Sequence, residues 1–479
     1  MWDVAFTVVG SIIHIGAIAA VLIEERRRPS ATLAWLLAIV FLPFLGVVLY
    51  LVIGRMRASR VATRCARAAD RIRPVLEKHS VRTALEAGAH PEIEPRTASL
   101  LSLGRRLSTT PASHGNRAEI LVDGEAAYRS MAEASGAATD HIHVEFYIIE
   151  PDEAGVRLRD RLVARAGEGV EVRVLTDAVG TRLPFGFWDP LLEAGGQAAE
   201  FEPVFSPWRR RRHHRVDFRN HRKIVVVDGR VGFTGGINVG TEYLGRDPTL
   251  GRWRDTHVRL DGPAALSLQT TFAEDWYSAT GELLDAARYF PAEPGTDTAV
   301  VEVVDSGPDR KWSPISYVYS QAIALARERV WITSPYFVPG PHLEQTLIGA
   351  ALRGVDVRLL LPGISDSWLV QQAGRSYYRR FLEAGVRIFE YERGFVHAKT
   401  MVVDSWVGTV GSANMDTRSF QLNFELNAFV YGDRFADELA GHYRADLQHA
   451  AEIDLEQARN VSYPVRLLRS VARLLSPLL

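Results

Sequence analysis

Two stretches of the chain carry the same reactive side chains at the same spacing: NHRKIVVVDGRVGFTGGIN at residues 220–238 and VHAKTMVVDSWVGTVGSAN at residues 396–414. Each reads His, one residue, Lys, four residues, Asp, six residues, Gly, Gly or Ser, one residue, Asn. The first copy is His221, Lys223, Asp228, Gly235, Gly236 and Asn238; the second is His397, Lys399, Asp404, Gly411, Ser412 and Asn414. On a β-strand, residues two apart share a face, so each His and Lys are expected to project together. Asp228-Gly229 suits a tight hairpin turn that brings the chain back beside the histidine. The glycines remove side chains there and are expected to let backbone N–H groups approach a ligand, with each Asn adding a donor. A histidine, an ammonium, an amide and open backbone make a site for an oxyanion with several oxygens. Phosphate fits. The exact repetition of the spacing argues against chance.

Other chemistries fit less well. His221 with His213 or His214 could ligate zinc, but a lysine two residues away repels a cation and no carboxylate cluster accompanies them. No G-x-x-x-x-G-K-[ST] loop is present, so neither a metal nor a nucleotide cofactor is called for. Cys65, the one cysteine, sits in an Arg- and Ala-rich amphipathic stretch and reads as a packing residue rather than a catalytic thiol. No internal disulfide can form.

The elements that must position these residues are also duplicated. IHVEFYII (142–149) corresponds to VWITSPYFV (330–338), VEVRVLTDAVG to VDVRLLLPG (355–363), and RDTHVRLDGPA (254–264) to FELNAFVYGDR (424–434). Nearly apolar strands alternating with helices imply α/β architecture around a parallel or mixed sheet covered on both faces. The halves are expected at 118–290 and 298–450, divided by the Pro- and Gly-containing YFPAEPGTD (289–297). The period is that of a domain, not of a solenoid.

The N-terminus is different. Residues 4–23 hold His14 as their one ionisable side chain, and residues 31–53 carry no charge. Each run is long enough to cross a bilayer, which predicts a transmembrane hairpin over 1–54 that crosses twice or re-enters. The turn holds Arg26, Arg27 and Arg28, while Arg55, Arg57, Arg60, Arg64, Arg67, Arg71 and Arg73 follow the second run; that excess predicts a multi-pass membrane protein with the rest of the chain in the cytoplasm. Residues 55–117 read as a basic amphipathic linker region. Within it, Val61, Cys65, Ala68 and Ile72 form a stripe suited to a headgroup surface or to an ordinary solvated helix, and 91–117 reads as a connector. The basic run PWRRRRHHR (207–215) suits anionic headgroups. In the tail, 451–479, Arg466, Arg469 and Arg473 share a helical face, and Leu467, Leu468, Val471, Leu474 and Leu475 fill the rest. Such a helix serves a membrane interface or docks on the domain. A net charge of −1 argues against a protein that coats nucleic acid.

The paired HxK(x)4D motifs with trailing G-[GS]-x-N resemble the phospholipase D superfamily over residues 118–450. WLLAIVFLPFLGVVLYLVIGR, HIHVEFYI, NHRKIVVVDG and SPYFVP extend the resemblance, over nearly the whole chain, to bacterial cardiolipin synthases of the phospholipase D type. That resemblance implies a duplicated phospholipase D fold, two αβα sandwich-like halves sharing one active site, behind the membrane hairpin. It implies a phosphatidyltransferase that passes a phosphatidyl group from one phosphatidylglycerol to another through a phosphohistidine, without metal, nucleotide or other cofactor, at a membrane of anionic lipids. His221 is the expected nucleophile and His397 the general acid, although the symmetry of the motifs leaves their order open. Lys223, Lys399, Asn238 and Asn414 would neutralise the transition state. Asp228 and Asp404 complete the motifs, with a structural part pairing basic groups. An acidic residue following each motif, Asp255 and Glu425 here, would bond the far imidazole nitrogen; the insertion before Asp255 is longer than that before Glu425. The resemblance leaves hydrolysis to phosphatidic acid as the alternative, and a non-catalytic lipid-binding scaffold as a second, disfavoured because both motifs are whole.

Overall fold

Strands built from IVVV and TMVV have buried side chains on both faces, so they must lie inside a sheet with helices above and below. The computed structural model describes residues 2–23, 29–50, 60–86, 94–202, 218–292 and 295–475. The chain forms two compact units, Met1–Arg60 and Val61–Leu479.

Among the described residues the larger unit is organised on one 15-stranded mixed sheet. Its centre is the antiparallel pair Ser113–Val122 and Ala299–Ser306. Outward from the first of these run Thr256–Asp261, Val231–Gly235, Ile224–Val227, His141–Phe146, Glu171–Asp177 and Gln197–Phe201. Outward from the second run Glu425–Tyr431, Val407–Gly411, Thr400–Val403, Arg329–Thr333, Asp356–Pro362 and Arg387–Tyr391, with Ala450–Glu452 at the edge. The order is the same in both directions, as a duplicated half related to its twin by a pseudo-two-fold axis requires. The halves therefore share a sheet rather than standing as two sandwiches side by side.

Helices Ala264–Thr280 and Asp433–Leu447 cover one face, over a core to which both halves contribute, among others Phe272, Trp276, Tyr443 and Trp331. Asp123–Gly136 and Glu153–Gly167 cover the other face in the first half, and Pro314–Ala324 and Pro341–Leu352 in the second.

The first motif turns as Asp228-Gly229 predicts. Asp228 and Gly229 have φ of 53° and 65°, and the Arg230 N–H donates to the Val227 carbonyl at 3.0 Å, which is a type I′ hairpin turn. Asp404 holds the same left-handed conformation, φ 51°.

Two expectations need correction. The amphipathic helix Arg60–Lys78 does not offer its apolar stripe to headgroups: Val61, Cys65, Ile72, Val75 and Leu76 are buried in the shared core, and the Cys65 thiol lies 3.1 Å from Ser278 Oγ. The stretch 91–117 is not a mere connector. It contains helix Pro95–Leu107, whose Leu100 is buried and whose Arg96 pairs with Asp404 at 2.5 Å, and the start of the first central strand. A stripe of apolar residues shows that a helix must bury one face, but not against what.

In the N-terminal unit, the run 4–23 falls within helix Trp2–Ile23. The run 31–53 contains two helices, Pro29–Phe41 and Pro43–Leu49, because Pro43 lacks an N–H and Leu42 leaves the helical region at φ −125°, ψ 70°. Ala17, Val21, Ile39, Val47 and Tyr50 pack together, and the His14 Nε2 lies 3.0 Å from the Ile39 carbonyl. Among the described residues no helix is long and apolar enough to cross a membrane. Arg26, Arg27, Arg28, Arg55, Arg57 and the run 207–215, with His213 and His214, lie outside the described residues.

Candidate active site

His221 and His397 do not sit within strands. Each ends an extended segment that leads into its hairpin, two residues before Lys223 and Lys399. What places them is a parallel pairing with the opposite half. Asn220 bridges to Phe424, and the His221 N–H donates to the Phe424 carbonyl at 2.9 Å. In the mirror arrangement Phe395–Val396 pairs with Trp253–Arg254, and the His397 N–H donates to the Arg254 carbonyl at 2.7 Å. One step further along each register, His221 meets Glu425 and His397 meets Asp255.

The imidazole–carboxylate pairs are therefore crossed. His221 Nδ1 lies 2.9 Å from Glu425 Oε2, and His397 Nδ1 lies 2.7 Å from Asp255 Oδ2. Each acid serves the histidine of the other motif. An ionised carboxylate can only accept, so beside it Nδ1 carries the hydrogen and Nε2 is the free nitrogen; burial raises the Asp255 carboxyl, with Lys399 opposing it, and Lys399 Nζ also lies 2.9 Å from His397 Nδ1. Both rings line one cleft of about 430 Å³, together with Asn238, Asn414, Arg219 and Arg418.

Both lysines are fully buried and donate to the carbonyl of their own histidine, Lys223 at 2.6 Å and Lys399 more closely still. Burial pushes Lys223 down to about 7 against the attraction of Glu425, and Lys399 down to about 8 against that of Asp255. Burial also lowers His221, with Lys223 adding to it against Glu425, and lowers His397 further, with Lys399 adding to it. Burial pushes Glu425 up, but His221 and Lys223 outweigh it and hold the carboxyl below its usual range. Two imidazoles held toward their neutral form thus stand between two lysines and two carboxyl groups. An entering phosphodiester anion would favour protonation of one ring while the other remains able to attack.

Asn238 donates Nδ2 to the Tyr243 hydroxyl at 3.0 Å, and its Oδ1 accepts from the Ile148 N–H at 3.3 Å. The Asn414 Oδ1 is buried with no hydrogen-bond partner among the described residues. Rotating that amide would place two N–H donors at that position instead.

The glycines serve the protein's own side chains rather than opening backbone toward a ligand. A Cβ on Gly236 would stand 2.2 Å from Asp255 Oδ1, one on Gly235 2.6 Å from His257 Cα, and one on Gly411 2.2 Å from Asn427 Cγ. Their N–H groups are engaged: Gly236 donates to the Thr256 carbonyl at 3.0 Å, Gly411 to that of Lys399 at 3.3 Å, and Ser412 to that of Leu426 at 2.9 Å. The Ser412 hydroxyl donates to Glu425.

Asp228 and Asp404 lie at the far ends of their strands and do not line the cleft. Asp228 accepts from the N–H groups of Thr139, Asp140 and His141 and from the Thr139 hydroxyl, not from a basic group. Asp404 accepts from the N–H groups of Arg327, Glu328 and Arg329 and from Arg96. Burial raises both carboxyls, but these hydrogen bonds outweigh it and hold them low.

Several supporting residues escaped the motif comparison. Arg222, between His221 and Lys223, reaches Asp275 at 2.5 Å, Asp305 at 3.4 Å and the Glu425 carbonyl at 3.3 Å. Its counterpart is Ala398, and the matching task passes to Arg254, which holds Asp446 at 2.8 Å and the Asp255 carbonyl at 2.6 Å. Asp275 and Asp446 come from the two equivalent covering helices, so each half clamps one crossed pair. Comparing like positions hides a role that changes position between copies. Tyr147 stands edge-on to His221 at 4.9 Å, and Trp253 lies 5.1 Å from His397.

Residues 131–276 and 319–447 match the family described as "Cardiolipin synthase, PLD-like domain", and residues 12–55 match "Phospholipase D-nuclease N-terminal". The chain is 41% identical over 465 residues to a cardiolipin synthase of Geobacillus thermodenitrificans, covering 96% of this chain and 91% of that one. It belongs to the phospholipase D-type cardiolipin synthase family. A cardiolipin synthase of Halalkalibacterium halodurans is 39% identical over 469 residues, covering 96% of this chain and 92% of its own. A solved phosphatidylserine synthase of Haemophilus influenzae, 14% identical, superposes with a TM-score of 0.60 over 80% of this chain and 100% of that one, and so shares the fold. Membership accounts for the duplicated sheet and for two motifs meeting in one cleft, and it makes the chain a phosphatidyltransferase.

Proposed function

We propose that this enzyme transfers a phosphatidyl group from one phosphatidylglycerol to another, giving cardiolipin and glycerol through a phosphohistidine. The observation that carries the reading is the crossed pair of dyads, which sets two imidazoles over one cleft with a buried lysine beside each.

His221 Nε2 attacks phosphorus as the bond to the headgroup oxygen breaks, and His397 gives that oxygen its proton. The positive charge that develops on the His221 ring is met by Glu425, and the charge of the pentacoordinate phosphorus by Lys223, Lys399 and the two asparagines. A primary hydroxyl of the second phosphatidylglycerol then gives its proton to His397 and attacks phosphorus, and His221 leaves. One phosphodiester replaces another, so no nucleotide need drive the exchange. Four positions after Asn238 stands Glu242, and four after Asn414 stands Arg418; both line the cleft, so the two halves do not furnish it identically.

The N-terminal unit is proposed to hold the enzyme in the inner membrane as a hairpin, with the catalytic unit on the cytoplasmic face. Support comes from its exposed apolar side chains, among them Ile15, Ile23, Phe41 and Phe44.

Incubating the purified full-length protein with phosphatidylglycerol tests the reading. Cardiolipin and glycerol in equal amounts are expected. Phosphatidic acid without cardiolipin would replace transfer by hydrolysis.

A further inference from the structure

The C-terminal helix Tyr463–Leu475 is mounted with its apolar stripe outward. Leu467, Leu468, Val471 and Leu474 fall on one side at helical spacing, yet they are 54%, 39%, 46% and 77% exposed. The helix is held by a different side. Ala472 is fully buried against Val338 and Ala373, Arg469 Nε donates to Gln372 Oε1 at 3.4 Å, and the Arg473 guanidinium lies 5.7 Å from the Tyr377 ring centre. An amphipathic helix docked for folding alone would turn its leucines inward. Here an alanine and arginine stems make the contact.

The seat of this helix is also a wall of the cleft. It packs on Trp368–Arg375, whose Val370 lines the cleft, as does Ser367 just before it. Trp368, at the start of that helix, is 56% exposed, a residue type favoured at membrane–water boundaries. Arg466 is exposed beside the stripe. Four aliphatic side chains, a neighbouring indole and a flanking guanidinium match a bilayer surface bearing anionic headgroups.

We propose that this helix lies in the headgroup region of an anionic membrane and holds the cleft mouth against it, so that lipid substrates reach the histidines without crossing water. The proposal rests on the lipid-transfer reading for its purpose, but the contact itself is tested separately. A nitroxide is attached at Val471→Cys in the full-length Cys65→Ser protein, with Glu168→Cys as a control far along the chain. In vesicles of phosphatidylglycerol and phosphatidylcholine the label at 471 is expected to gain oxygen collisions and lose those with a water-soluble nickel chelate, by roughly five-fold or more, as an interfacial helix should. The label at 168 should not change. Equal nickel access with and without vesicles would overturn the proposal, as would a loss that needs no lipid and grows with protein concentration, the mark of a second copy on the stripe. Leu467→Ser/Val471→Ser/Leu474→Ser should lower turnover on vesicles about ten-fold and leave turnover on short-chain phosphatidylglycerol in detergent within about two-fold. Equal losses on both substrates would also overturn it. If the wild type makes no cardiolipin from either substrate, the transfer reading fails, and the labels still decide the membrane contact.

Discussion

Replacing Glu425 by glutamine removes a charge from His221, although the two residues are far apart in sequence and belong to different motifs. In the proposed mechanism His221 Nε2 bonds phosphorus and its ring becomes cationic, stabilised by the carboxylate 2.9 Å from Nδ1. Unit charges about 4 Å apart at an effective dielectric of about 20 attract by about 4 kcal/mol. Losing that from the transition state slows the reaction by about 10³-fold. Glutamine also threatens the tautomer. Glu425 accepts from His221, Ser412 and Asn423, so an amide NH₂ must face a donor on whichever side it takes. The assay uses a phosphatidyl ester of p-nitrophenol, whose leaving group needs no protonation. Glu425→Gln and His221→Ala should both lose the burst of nitrophenol. Asp255→Asn and His397→Ala should keep a burst and release product slowly, with phosphorus trapped on the protein. The pairing of phenotypes is the test. If Glu425→Gln behaves as His397→Ala does, and Asp255→Asn as His221→Ala does, the crossed dyads do not act as crossed. If the pairs hold but the two phenotypes exchange, His397 strikes first.

The buried lysines predict the alkaline limb. With Lys223 lowered to about 7 and Lys399 to about 8, the empty site loses positive charge as pH rises through that range, so kcat/KM should fall there. The limb of kcat should lie higher, because a bound anion restores both protons. The unfolded chain keeps these lysines protonated up to about 10.4, so between about 7 and that value it binds more protons than the folded one, and their burial costs stability that is recovered as pH rises. Lys223→Met should therefore raise the melting temperature in detergent more at pH 6 than at pH 9. Asp228→Ala leaves three N–H groups and a hydroxyl without their acceptor. It should cost about 2–4 kcal/mol, read as a fall in melting temperature, with kcat per folded molecule within about two-fold; a loss of turnover at full stability would return Asp228 to the chemistry. Gly236→Ala places a Cβ 2.2 Å from Asp255 Oδ1 and should push the carboxylate off His397, giving the slow-release phenotype of Asp255→Asn. An unchanged burst and turnover would show that the glycine does not guard that contact.

Much of this was legible before any fold was drawn. The repeated H-x-K-(x)4-D pattern identified both histidines and both lysines, and the duplicated strands ordered the halves. Asp228-Gly229 announced its turn because two left-handed residues in succession suit few other sequences. The partner of the stripe at Val61, Cys65 and Ile72 was not legible, since a helical period states that a face is apolar and not what covers it. Nor was the duty of the glycines, because the absence of a side chain leaves room equally for a ligand or for Asp255 and Asn427. Arg222 stayed hidden because its counterpart Ala398 is inert and Arg254 does the matching work from another strand.

By itself, then, the sequence determined which side chains are candidates for the chemistry and that two copies of them exist, since residue type and local spacing are written along the chain. Only the tertiary structure decided which acid serves which histidine. That depends on the parallel registers of Asn220 with Phe424 and of Val396 with Arg254, contacts between halves that no local period encodes. Strand alternation tells which way a side chain points. It is the closing of one half onto the other that tells what it points at.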